Sequence, residues 1–438
     1  MSGRAMQFEK NIGNDWATVS LFDSGVRAEP ISNLIEAINT GEYQKIHAVL
    51  IVKGGRIIVE EYFHGYNRDK PHQIRSATKS IGSILVGIAI DKGYISSPEQ
   101  HITHYFKNKS IDSDSRAKEV TIKSLLTMTS GFDCDDHRGE SFQCERAMYK
   151  TDDWVSFALN IPMTHYPGEQ WAYNSSSLIL LSEIIHQTSG MPVERFADKF
   201  LMGPLGIADF KWGFSPQGIV WFGGNASVRP RDMAKLGQMC LDNGTWKNRQ
   251  IVSKAWLEES TRLHAYSEYG MGYGYLWWRG KQLIKNRFIE AFWAQGNGGQ
   301  VIFVCPELDI VAVFTGGNYN SMLELQFMGM LINYIIPSML PPTPEITFIN
   351  LGRQVMDTLA GSYRCNDLSL DLSVDGDSMT CQLAGLISRL RFKNRDRFYL
   401  PNHVFGDMNG KIIKDEQGNV TRLLIQGAFS DLVFKPSN

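Results

Sequence analysis

Residues 75 to 90 read RSATKSIGSILVGIAI; after Arg75-Ser76-Ala77-Thr78-Lys79, the apolar run from Ile81 to Ile90 is long enough to predict a buried helix. Gly93 is its expected C-cap. Ser76 and Lys79 are three positions apart, so on a helical first turn their side chains share one face. A serine hydroxyl is a weak nucleophile at neutral pH, and a nearby amine can take its proton only where burial or another positive charge lowers the amine's pKa. The apolar residues after Lys79 predict such burial. A helix N-terminus also aims amide dipoles at the negative charge that grows on an attacked carbonyl oxygen. Alone, S-x-x-K equally describes a capped surface helix with a solvated lysine.

Two further elements add to it. In Pro167-Gly-Glu-Gln-Trp-Ala-Tyr173-Asn174-Ser175-Ser-Ser-Leu, a tyrosine leads a small polar turn into an apolar helix. Tyr173 is a candidate proton relay, because a phenol beside a protonated lysine can have its pKa reduced, and Ser175 could hydrogen-bond that lysine. The plainer reading is a core tyrosine followed by a cap serine. The stretch Ala294-Gln295-Gly296-Asn297-Gly298-Gly299-Gln300 is expected at the start of a strand, glycine-rich where a substrate could approach an open edge, with Asn297 placed to offer a backbone N–H. It could equally be an ordinary strand-entry turn.

In order and spacing the three elements resemble the motifs of the penicillin-recognising serine hydrolases, the group of serine β-lactamases, penicillin-binding proteins and related esterases marked by S-x-x-K, Y-x-N or S-x-N, and K-T-G or H-x-G. The resemblance implies an α/β, β-lactamase/transpeptidase-like fold, an antiparallel sheet flanked by helices plus a helical lobe. It also implies that Ser76 is acylated, that Lys79 is its base, that Tyr173 relays protons, and that the amides of Ser76 and Asn297 bind the oxyanion. This sequence departs from the pattern twice: Tyr173-Asn174-Ser175 ends in Ser, and Ala294-Gln295-Gly296 lacks the Lys or His that holds a substrate carboxylate in β-lactam-processing members. Together with RPRDMAKLGQ and GNGGQVIFVCPELDIVAVFTG, these features are similar to 6-aminohexanoate-dimer hydrolases and class C-like esterases over residues 16 to 335. The implied activity is amide or ester hydrolysis of a small molecule. A DD-peptidase or β-lactamase on the same scaffold, and a non-enzymatic binding or sensor protein, are the alternatives.

The rest of the chain is compatible with this. A helix is expected over Ile31 to Ile38, a hairpin around Gly54-Gly55, and a mainly helical region from 95 to 275. A second hairpin joins Gln300–Cys305 to Ile310–Phe314, and a helix over Leu323 to Ile336 could cover the sheet. Beyond the Pro-rich 337–344, short β-prone stretches predict a small β domain, so the expected division is 1–348 and 349–438. With 438 residues, 43% of them hydrophobic and 21% charged, the composition is that of a globular chain. A net charge of −2 without a basic block argues against a nucleic-acid partner. No apolar stretch reaches the length of a membrane span.

Other residues rank lower. Residues 1–16, MSGRAMQFEKNIGNDW, show no secretory h-region, and the compartment stays open between periplasm, had a signal been removed, and cytoplasm. Oligomeric state is likewise open. Of six cysteines, Cys134 and Cys144 are close enough for a local disulfide, with two reduced thiols as the alternative. Asp133-Cys134-Asp135-Asp136-His137 contains metal-liking side chains but no second cluster, so neither metal nor cofactor is expected. The aromatic group from Tyr269 to Trp278 is expected mostly in the core, with Tyr166, Trp171 and Trp221 as candidate pocket residues beside Gln295 and Gly296.

Overall fold

Strands from both ends of the first 340 residues meet in one antiparallel sheet of eight strands. The computed structural model describes residues 16–137, 142–284, 287–342, 347–366, 368–383, 385–426 and 431–437; residues 1–15, most of the stretch read for a secretory signal, lie outside these. In spatial order the sheet runs Arg56–Tyr62, Ile46–Lys53, Ile310–Gly316, Gln300–Cys305, Arg287–Gly296, Trp278–Ile284, Gly272–Tyr273 and Ala265–Tyr266. The central strands read VIFVC and IVAVF because both faces are covered, which a half-exposed antiparallel strand would not allow. Helix Pro230–Leu241 packs so closely on one face that a Cβ at Gly237 would lie 2.5 Å from a Val311 methyl. On the other face Phe327 meets Trp293 and Phe314. Phe327 belongs to a continuous helical stretch, Met322–Met339, that begins as a 3₁₀ turn and includes a π turn at Leu331–Ile335.

Helix Thr78–Asp91 lies between the sheet and the helical lobe, and every residue from Thr78 to Ala89 is buried, as expected for a helix apolar on all sides. Its close neighbours explain its glycines: a Cβ at Gly82 would collide with Phe222, and one at Gly87 with Trp256. The C-cap is Lys92, one residue before the expected Gly93, which follows with φ +75°. Glycine fits that left-handed position without the steric cost of a side chain. The largest difference from expectation is strand Arg287–Gly296, which the sequence reading did not expect, placing Ala294–Gln300 at the start of the following strand. Gln295 and Gly296 therefore end one strand, and Asn297–Gly299 turn into the next, instead of opening it.

The C-terminal domain is an antiparallel meander of nine strands in the order Leu386–Arg389, Ser378–Leu383, Leu368–Asp375, Gly361–Cys365, Asp431–Pro436, Val420–Gln426, Met408–Lys414, Arg397–Leu400 and Arg391–Asn394. The first and last strands of the domain pair through Tyr363 and Pro436. The two edge strands are consecutive in sequence, separated only by Leu390, so the sheet curls almost into a barrel. Alternate residues such as Leu370, Leu372, Met379, Cys381 and Leu383 fill its own core. This domain is keyed onto the helical stretch over the large sheet. Gly329 N–H donates to the Val404 carbonyl at 3.0 Å, and Asp407 N–H to Asn333 Oδ1 at 2.7 Å.

Candidate active site

The turn before helix Thr78–Asp91 carries Ser76. Arg75 adopts φ +50°, an uncommon conformation for a residue with a Cβ, and Thr78 Oγ1 donates back to its carbonyl at 2.6 Å. Lys79 follows on the first helical turn, 1% exposed, and its Nζ donates to Ser76 Oγ at 2.9 Å and to the Gly223 carbonyl at 2.5 Å. Burial pushes the ammonium down to about 8, even though Asp136 and Glu145 pull the other way. Ser76 and Lys79 thus share one face as expected.

Tyr173, Asn174 and Ser175 form a buried turn into helix Ile179–Ser189. Asn174 Oδ1 accepts from Ser177 N–H at 3.0 Å and holds that turn. The Tyr173 ring stands 4.8 Å from Lys79 Nζ. Its phenol is not lowered as proximity to a lysine predicts: burial lifts it above the usual tyrosine range, nearby carboxylates add to the lift, and a hydrogen bond with Ser76 only partly offsets them. Tyr173 is consequently a neutral hydroxyl at physiological pH.

Asp136 is the residue that the sequence reading placed only in a metal-liking run. Its N–H donates to the Tyr173 carbonyl at 2.7 Å, and its Oδ2 accepts from Ser175 N–H at 2.8 Å, so it clasps the second motif from both ends. Burial raises its carboxyl to about 6, against the pull of Ser175 and Lys79. Ser175 therefore partners Asp136 and supports the site beside the lysine. Cys134 and Cys144 form a disulfide that links the segment bearing Asp136 and His137 to the helix bearing Glu145. No sequence spacing relates Asp136 to Tyr173. The disulfide pairing was the one available hint that the run from 133 to 137 is tied down.

The end of strand Arg287–Gly296 abuts the turn that carries Ser76. A Cβ on Gly296 would sit 2.1 Å from the Ile74 carbonyl oxygen and 3.0 Å from Ser76 N, so only glycine permits this approach. Asn297 is locked by a two-way amide pair, Nδ2 donating to Asn320 Oδ1 at 2.7 Å and Oδ1 accepting from Asn320 N–H at 2.8 Å. Glu324 Oε2 accepts from Gly298 N–H at 3.0 Å and fixes the next residue. Gly296→Ala is expected to push strand and turn apart and lower turnover by about 100-fold, the cost of a displacement near 1 Å at a reacting centre. A Gly296→Ala enzyme with wild-type kcat/KM would show that this contact does not position Ser76.

Ser76, Tyr173, Ser175, Gln295, Gly296 and Asn297 all line one cavity of about 670 Å³, with Asp136, His137, Glu145 and Glu324. Lys79 lies behind Ser76. Three residues expected at the pocket are elsewhere. Tyr166 is 54% exposed and lies 5.9 Å from the Arg116 guanidinium, outside the cavity lining. Trp171 is buried behind Tyr173, their ring centroids 5.9 Å apart. Trp221 is buried beneath the second motif and donates its indole N–H to the Ser175 carbonyl at 3.2 Å. Of the aromatic group read as mostly core, Tyr273, Tyr275, Trp277 and Trp278 are buried, and Trp278 also lines the cavity together with Tyr269. His137 stacks on Tyr173 at 4.5 Å, its side chain exposed at the cavity, and desolvation by the surrounding protein shifts its imidazole downward. Among the described residues, no Lys or Arg lines this cavity.

Comparisons with known proteins bear on the family and the fold. The beta-lactamase family profile matches residues 42–321, more than half of the chain. A 6-aminohexanoate-dimer hydrolase from Paenarthrobacter ureafaciens is 24% identical over 261 residues, 55% of this chain and 65% of that protein, so slightly less than two thirds of this relative is matched. In fold, the chain is similar to an octameric penicillin-binding protein homologue from Pyrococcus abyssi (TM-score 0.56, 19% identity, covering 93% of this chain and 99% of that one). It is also similar to a penicillin-binding protein homologue from Caulobacter crescentus (TM-score 0.57, 14% identity, covering 74% and 98%). With the family profile spanning both the sheet and the helical lobe, the chain belongs to the beta-lactamase family and has the fold of its penicillin-binding-protein-like serine hydrolases.

Proposed function

We propose that the chain hydrolyses an amide or ester bond through an acyl-enzyme on Ser76, with Lys79 as base. The observation that carries this reading is Lys79 Nζ at 2.9 Å from Ser76 Oγ in a buried site that lowers its pKa to about 8. At pH 7 roughly one lysine in ten is then neutral, against fewer than one in a thousand for an exposed lysine. The neutral amine accepts the Ser76 proton as Oγ attacks the substrate carbonyl. The tetrahedral oxygen is stabilised by the N–H groups of Ser76 and Asn297. Collapse expels the leaving group, to which the Lys79 proton passes through the Tyr173 hydroxyl; water then attacks the acyl-enzyme as Lys79 takes its proton, and collapse of the second tetrahedral species breaks the ester bond, releases the acid and returns that proton to Ser76 Oγ.

A DD-peptidase or β-lactamase reading is less well supported. Those substrates present a carboxylate, and the ionisable side chains at this cavity include Asp136, Glu145 and Glu324 without an opposing Lys or Arg among the described residues. A binding protein without catalysis would tolerate a solvent-directed Lys79, and this lysine is buried against the serine. The test is a panel of short-chain p-nitrophenyl esters, linear amides and β-lactams on wild type and Ser76→Ala. Ser76-dependent turnover of esters or amides supports the reading, and preferential β-lactam turnover would favour the alternative.

The pH profile follows from the same groups. The base must be unprotonated, so kcat/KM should rise with pH and level off above an apparent pKa near 8. Asp136 stabilises the ammonium; Asp136→Asn removes that negative charge and should move the rising limb to lower pH. A profile flat from pH 6 to 9, or a limb that moves upward in Asp136→Asn, would contradict the assignment of Lys79.

A further inference from the structure

The cavity over Ser76 is closed on one side by the C-terminal domain. Leu368, Leu383, Phe405, Met408 and Leu432 line it, all from the meander and its loops. Leu383 and Met408 belong to the core of that domain, while Leu368, Phe405 and Leu432 are half-buried at its margin and face the cavity. Their positions are fixed from below. Gly329 accepts no side chain, because a Cβ there would meet the His403 carbonyl at 1.8 Å, and one at Gly406 would collide with Ile332. Those two contacts bracket Phe405. Asn366 Nδ2 also donates to the Glu268 carbonyl at 2.6 Å, tying the strand-connecting turn beside Leu368 to the catalytic unit next to Tyr269. The carboxylates of Asp136, Glu145 and Glu324 that line the same cavity come from the catalytic unit.

We infer that the C-terminal domain forms the apolar half of the substrate site, and that the natural substrate carries a bulky apolar group and no carboxylate near the scissile bond. This rests on the Ser76 acyl-enzyme reading and adds the substrate class. An apolar group entering the cavity leaves water for a wall of leucine, methionine and phenylalanine, which favours it in proportion to the area covered. A substrate carboxylate would instead be brought toward three like-charged groups without a cationic partner in the lining. The side of the scissile bond that contacts the wall is read out by two series, one varying the acyl chain of p-nitrophenyl esters and one varying the alcohol of acetate esters.

The expected result is a rise in kcat/KM of about three- to fourfold per methylene, from two to eight carbons, in one of the two series. Phe405→Ala and Leu432→Asn should each reduce the ratio of eight-carbon to two-carbon kcat/KM by at least about tenfold, and Phe405→Leu should restore most of it. A hemiester ending in a carboxylate should react at least about tenfold more slowly than the neutral ester of equal length. Ser76-dependent hydrolysis without chain-length preference in either series, or a ratio unchanged in both variants, overturns the inference and leaves the acyl-enzyme reading standing. Failure of every ester, together with no covalent adduct at Ser76, overturns both.

Discussion

Ser76→Ala is expected to lower ester or amide turnover by about 10⁴- to 10⁶-fold, the scale seen when the nucleophile of a covalent hydrolase is removed. The loss should fall on kcat/KM with the fold retained. Ser76 Oγ is contacted by Lys79 Nζ and by the Tyr173 phenol, and the turn itself is held by backbone and Thr78 contacts that alanine leaves untouched. Circular dichroism and the unfolding temperature should therefore match wild type. An Ser76→Ala protein that keeps more than about one hundredth of the activity would mean that attack does not come from this hydroxyl.

The second large effect is expected at Lys79. Lys79→Met keeps the length and apolar stem of the side chain and removes the amine, and turnover should fall by about 10²- to 10⁴-fold, the usual contribution of a general base. Lys79→Arg separates two explanations. If Lys79 acted only as a positive charge near Ser76, arginine would preserve much of the activity. If it must give up its proton, arginine should be as poor as methionine, because a guanidinium stays protonated throughout the working range. The rising limb near pH 8 should disappear in both variants. Substantial activity in Lys79→Arg would move the base role to another group.

Much of this site is legible in the sequence because local spacing governs it. Ser76 and Lys79 are one helical turn apart, and a serine turn followed by an apolar helix needs no tertiary information to be read. The strands around Gly54-Gly55 and Pro306–Asp309 were also local, each pair being a hairpin. What stayed hidden depends on contacts across the chain. Asp136 becomes a partner of Ser175 only because a segment 39 residues away folds against the second motif. Trp221 was read as a pocket wall, but its indole supports the Ser175 carbonyl from beneath. Strand Arg287–Gly296 was missed since its alternating pattern is broken by adjacent aromatics, half-buried Phe292 against Trp277 and buried Trp293 against Phe327. The C-terminal wall was likewise beyond reach: alternation reveals a β domain, whereas the margin it turns toward Ser76 is set by contacts such as Gly329 with Val404.

The direction of the Tyr173 shift shows the same limit. Sequence places a phenol near a lysine and predicts a lowered pKa, but burial and the carboxylates of Asp136, Glu145 and Glu324 outweigh it. In the proposed mechanism the proton-accepting role then falls to Lys79, whose burial acts in the opposite sense on a cation. One environment raises the acid and lowers the base, which separates their roles at neutral pH.

Covalent labelling tests the central claim most directly. Wild-type protein, Ser76→Ala and Lys79→Met should be incubated with a fluorophosphonate, followed by intact mass and peptide mapping. The expected result is a single adduct on wild type that maps to Ser76, slow labelling of Lys79→Met, and none of Ser76→Ala. An unlabelled wild type, or equal labelling of wild type and Ser76→Ala, would contradict an acyl-enzyme on Ser76.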